Sequence, residues 1–179
     1  MRNELLFQNQ FRIPSTRLQY WNYAQDGWYF VTICTHKREC FLGEINNYEP
    51  QLSPVGQIAE KCWLEIPQHF PNVELETFVI MPNHIHGIIT INCTEQQTNK
   101  NNIGQNLPLP QSLSAVIGSF KSAVSKIINR THPKIPFQWQ TRFYDRIIRN
   151  RESMYKISQY ILNNPIKWEL DRNNPKNVY

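Results

Sequence analysis

Short apolar runs and polar breaks alternate along the chain in the order strand, helix, strand, strand, helix, strand, helix. WYFVTICT, Trp28 to Thr35, follows the turn pair Asp26-Gly27 and is apolar on both sides of a period of two. Its β-branched and aromatic content predicts a central strand. Extended pieces around Asn46-Asn47 predict a small hairpin within 41–52. Ser53 can cap a helix whose first residue is Pro54. Val55, Ile58, Ala59, Cys62 and Ile66 follow at helical spacing, and Pro67 marks the end. LETFVIM (Leu75 to Met81) reads as a second strand, Pro82-Asn83 breaks it, and His84 to Ile91 alternates as a third.

The clearest helix opens at Ser112, with Leu113, Val116, Ile117, Phe120, Val124, Ile127 and Ile128 on one apolar stripe and Lys126 and Arg130 off it. RFYDRIIR, Arg142 to Arg149, predicts a fourth strand. Asn150 can cap a last helix to about Asn163, stopped by Pro165. This βαββαβ order predicts the α+β class: a ferredoxin-like antiparallel sheet with helices packed on one face. The 179 residues suit one domain with a real core. Its expected parts are an arm over 1–27, a core over 28–168, a mobile polar connection over 93–111 and a short C-terminal tail.

Composition narrows the partners. Hydrophobic residues make up 40%, yet no apolar run approaches the roughly 20 residues that span a bilayer. MRNELLFQNQF lacks the apolar stretch of a secretory signal. No membrane partner and a cytoplasmic, nucleoid-associated location are therefore expected. The cysteines at 34, 40, 62 and 93 form no CxxC pair and read as reduced thiols. Nineteen Lys and Arg against fourteen Asp and Glu give a net charge of +5, which suits a polyanion without identifying one. Aromatics interleave with basic residues in QWQTRFYDR. That mixture suits stacking on unpaired bases beside phosphate contacts, and equally an aromatic-rich core.

Two groups of residues carry candidate chemistry. His84 and His86 are two apart, so on a strand both imidazoles leave the same face while Ile85 and Gly87 face away. Two imidazoles aimed at one point begin a divalent metal site; a pair of satisfied histidines is the alternative. In YILNNP, Tyr160 and Asn164 are four apart and neighbours on one helical face. The amide oxygen of Asn164 is a reasonable third ligand, and a packed tyrosine beside a capping asparagine is the alternative. Tyr155 lies about 140° round the helix from Tyr160. Tyr144, on the preceding strand near Arg146 and Arg149, is the second-choice tyrosine.

MPNHIHGII is similar to the histidine–hydrophobic–histidine strand of HUH nucleases. FQWQTRFYDRIIRNRESMYKISQYILNNPIKW resembles the C-terminal half of REP-associated tyrosine transposases, relatives of the smallest single-tyrosine insertion-sequence transposases. YFVTICTHKRECFLGEI and the helix around GSFKS resemble that family as well. The likeness runs from about Arg17 to Trp168 with the motifs in family order. It implies a metal held by His84 and His86, either Mg2+ or Mn2+, Tyr160 as nucleophile, and Asn164 completing the site. It implies cutting and rejoining of single-stranded DNA near small hairpins, often repeated extragenic palindromes, through a 5′-phosphotyrosine. The smallest insertion-sequence relatives usually offer Gln where this chain has Asn164.

Candidate phosphate contacts are Lys121, Lys126, Arg142, Arg146 and Arg149, and the expected assembly is a monomer or homodimer. Competing functions are a non-cutting binder of DNA or RNA hairpins, a replication initiator or relaxase, and a zinc hydrolase. The last is disfavoured because the HIH strand offers no carboxylate as general base.

Overall fold

The computed structural model describes residues 26–92, 112–171 and 173–177. The arm before Asp26 and the 93–111 connection lie outside the described residues. In chain order come β1 (Gly27–Cys34), β2 (Gly43–Asn46), β3 (Glu49–Leu52), α1 (Pro54–Leu64), α2 (Ile66–His69), β4 (Val73–Ile80), β5 (His84–Ile91), α3 (Leu113–Thr131), β6 (Tyr144–Ile148) and α4 (Arg151–Leu162). A 3-10 helix, Pro165–Leu170, continues from α4 into the C-terminal segment. β2 and β3 form a separate hairpin, and the main sheet has the order β4-β5-β1-β6. Every neighbouring pair in it is antiparallel. Counted along the chain, the four main strands lie second, third, first, fourth, which is the ferredoxin-like arrangement. The expected α+β class holds.

Local chemistry explains the helix starts. Ser53, Ser112 and Asn150 each sit in extended backbone and accept from the N–H three residues on, at Gly56, Ala115 and Ser153. Pro67 does not end a helix as expected. Leu64 ends α1, and Pro67 falls in the first turn of α2, where its missing N–H has no partner to lose. The β2–β3 turn centres on Asn47 and Tyr48, both at positive φ, one residue later than the sequence indicates.

The sheet is covered on both faces. Tyr29, Val31, Ile33, Ile85, Ile89 and Ile91 join the α1 and α3 side chains, including Trp63, Val116, Ile117 and Phe120, in the main core. Phe30 and Ile88 pack on the other face with Ile148 and Ile161, against Met154 and Ile157 of α4. Among the described residues α1, α2 (through Ile66) and α3 thus share a face, and α4 crosses to the opposite one, where Met154, Ile157 and Ile161 bury against Phe30 and Ile88. Sandwiched between the two layers, β5 is buried at all eight positions. Its alternation is one of chemistry, with no exposed side. Gly87 is required there, since a Cβ at that position would lie 2.4 Å from Cζ2 of Trp63.

Candidate active site

β5 sends His84 and His86 toward the α4 face and Ile85 toward the main core, as the spacing predicts. The rings of the two histidines have centroids 4.5 Å apart. Across the sheet, register lines up Val79, His86, Thr32 and Tyr144 on one row. Thr32 Oγ1 lies 2.9 Å from His86 Nδ1. Asn83 Oδ1 lies 2.8 Å from His84 Nδ1.

The orientation of the Asn83 amide is fixed, because its Nδ2 donates to the carbonyls of Arg38 at 2.8 Å and Asn173 at 2.6 Å. Its Oδ1 therefore accepts from Nδ1–H of His84, which sets the tautomer and puts the lone pair on Nε2. A hydroxyl at Nδ1 of His86 permits the same tautomer there.

α4 supplies the tyrosine. Tyr160 Oη lies 3.4 Å from His86 Nε2, with ring centroids 5.3 Å apart, and Phe30 meets the tyrosine ring edge-on at 6.1 Å. Tyr160 is 47% exposed, and its contact with His86 is part-buried. Tyr144 is placed on the same sheet face but touches Phe30, at a centroid distance of 6.4 Å. Tyr155 is exposed on α4.

Asn164 is buried, and its Oδ1 has no hydrogen-bond partner. Such an orphaned oxygen is a group that a cation would satisfy. The structure also brings in a residue absent from the expected set. One ligand atom each from His84, His86 and Asp171 lies within 4.8 Å of the others. Two neutral imidazole nitrogens and a carboxylate oxygen suit a divalent transition ion, so the residues present fit the implied metal.

Thr32, Asn83 and Asp171 were not singled out by sequence. Thr32 is a polar position in an apolar strand, Asn83 reads as a strand breaker, and Asp171 lies beyond the last periodic helix.

The basic candidates separate. Arg146 shares the site's sheet face, opposite Phe30 in register, and is exposed. Arg142 and Arg149 are exposed at either end of β6, and Lys126 is exposed on α3, the helix of the other face. Lys121 donates to the carbonyls of Gln140 at 2.5 Å and Thr141 at 3.2 Å. Burial pushes its ammonium below the ordinary lysine range. It holds the loop before β6 against α3.

The fold is one that a solved tyrosine transposase has. A solved REP-associated tyrosine transposase bound to a REP hairpin superposes with a TM-score of 0.59 at 19% identity, over 89% of this chain and 77% of that one. No family model matches the chain. An uncharacterized protein of Haemophilus influenzae is 41% identical over 166 residues, covering 88% of this chain and 91% of that protein. The chain belongs to the family of that Haemophilus protein, and it carries the fold that the sequence resemblance implied. Among the described residues, no helix is long and apolar enough to cross a membrane.

Proposed function

We propose that this chain is a metal-dependent transposase and endonuclease that cuts and rejoins single-stranded DNA near hairpins, with Tyr160 as nucleophile. The observation that carries the reading is the 3.4 Å approach of the Tyr160 hydroxyl to Nε2 of His86. It puts a phenol beside the nitrogen that would bind a cation. A tyrosine has a pKa near 10, so only about one in a thousand is ionised at neutral pH. A divalent ion, Mn2+ or Mg2+, held by His84 and His86 would polarise a non-bridging phosphate oxygen and offset charge in the transition state.

The Tyr160 oxygen attacks phosphorus and gives its proton to solvent, while the bond to the 3′ oxygen breaks and that oxygen takes up a proton. The products are a 5′-phosphotyrosine and a free 3′-hydroxyl. The ester keeps the bond energy, so attack by another 3′-hydroxyl rejoins strands and frees Tyr160. Arg146, Arg142 and Arg149 would meet the backbone along β6, where Tyr144 offers a ring for an unpaired base. Lys126, on the far face, fits a peripheral contact, and Lys121 supports the loop instead. The solved neighbour holds a REP hairpin, which supports a palindromic single strand as the partner here.

A hydrolase reading regains ground because Asp171 supplies the carboxylate that the HIH strand lacks. The two differ in outcome, since a hydrolase leaves no protein–DNA bond.

The test incubates the protein with hairpin-bearing single strands from the flanks of its own gene, and with the same sequence fully paired. Mn2+, Mg2+ or EDTA is present in separate reactions. Cleavage confined to single strands and abolished by EDTA is expected, and equal cutting of the duplex or full cutting in EDTA contradicts the proposal.

A further inference from the structure

Asp171 stands at the end of the Pro165–Leu170 helix, where the backbone turns extended. Its amide donates to Trp168 O at 3.1 Å, and its Oδ1 accepts from Asn173 N–H at 2.6 Å. That turn fixes the carboxylate. The carbonyl of the same Asn173 accepts from Asn83 Nδ2, and Asn83 Oδ1 accepts from His84. A chain of hydrogen bonds therefore runs from His84 through Asn83 and Asn173 to Asp171, whose carboxylate comes back within 4.8 Å of the histidine ligand atoms. The Trp168 ring, 6.1 Å from that of His84, extends the contact between this segment and the histidine pair.

We propose that Asp171 is a metal ligand, completing a His84–His86–Asp171 triad from a segment beyond the helix that carries Tyr160. The proposal rests on the reading of the two histidines as a metal site. Three observations support it. The first is distance: ligand atoms within 4.8 Å of one another are a small side-chain adjustment from sharing an ion bonded at about 2.1 Å. The second is preorganisation, since Asn83 orients one ligand and pins the segment that presents another. The third is charge. A carboxylate offsets a divalent ion where a neutral amide such as Asn164 does not, and with two nitrogens it favours Mn2+ over Mg2+.

Binding of Mn2+ to the full-length protein, followed by calorimetry and by the EPR signal of the free ion, tests this without reference to cleavage. Asp171→Asn keeps an acceptor for the Asn173 N–H and removes the charge. It should weaken Mn2+ binding at least about tenfold, with a melting temperature close to that of the native chain in EDTA. Native Mn2+ affinity in a folded Asp171→Asn protein overturns the triad while leaving the two-histidine site standing. Absence of Mn2+ binding by the native chain overturns both. Should Asp171→Asn not fold, Asp171→Ser retains a hydroxyl for the same turn and is read by the same criterion.

Discussion

Asn83 is the residue through which fold and site are joined, and its loss should be felt in both. Asn83→Ala removes three hydrogen bonds from a side chain that is fully buried. Two of the deserted partners, the Asn173 carbonyl and Nδ1 of His84, belong to buried bonds, whereas the bond to the Arg38 carbonyl is only part-buried. Water can reach the last. Leaving a buried polar group unmet costs about 1–3 kcal/mol, so the two buried partners place the total near 2–6 kcal/mol. For a domain of this size each kcal/mol lowers Tm by about 2–4 °C, so a fall of roughly 10 °C is expected by calorimetry in EDTA. With His84 no longer held in one tautomer, Mn2+ affinity should drop about 10–100-fold. Asn92→Ala serves as the control: its exposed bond to Glu74 should matter by less than about 0.5 kcal/mol. An Asn83→Ala protein that melts with the native chain and binds Mn2+ equally well would refute the reasoning.

Gly87→Ala places a methyl 2.4 Å from Trp63, which has no exposed side to retreat to. Destabilisation of about 1–3 kcal/mol in urea unfolding is expected, and an unchanged midpoint would show that Trp63 can move. Arg146→Ala should weaken single-strand binding and lower the slope of log affinity against log salt by about one; an unchanged slope would take Arg146 out of the interface. Lys121→Met, by contrast, should leave that slope untouched while loosening the loop at Gln140 and Thr141, visible as faster amide exchange there. A salt slope reduced in Lys121→Met would restore the lysine as a phosphate contact.

The parts legible in the sequence are those set by near neighbours. Ser112 and the stripe from Leu113 to Ile128 announce α3 because a cap and a 3.6-residue period are local. The spacing of His84 and His86 fixed their shared face for the same reason. What a single sequence conceals is which face of the sheet an apolar stripe will choose. Met154, Ile157 and Ile161 of α4 follow helical spacing as the α3 stripe does, yet they pack with Phe30 and Ile88 on the other side. Contacts distant along the chain are concealed too. Asn83 reaches Asn173 across ninety positions, and no periodic signal at Asp171 marks it as a neighbour of His84. Lys121 shows the converse, since its charge suggested phosphate while its surroundings supply carbonyls.

The covalent bond itself is the most direct test. The native chain, incubated with Mn2+ and hairpin-bearing single-stranded DNA, should give a protein–DNA band that survives denaturing electrophoresis. Tyr160→Phe, which removes one oxygen, should erase it, while Tyr155→Phe and Tyr144→Phe retain it. Mass spectrometry of the digested adduct should place the nucleotide on the peptide containing QYILNNP. A band that persists in Tyr160→Phe, or a nucleotide mapped to Tyr144, would contradict the account.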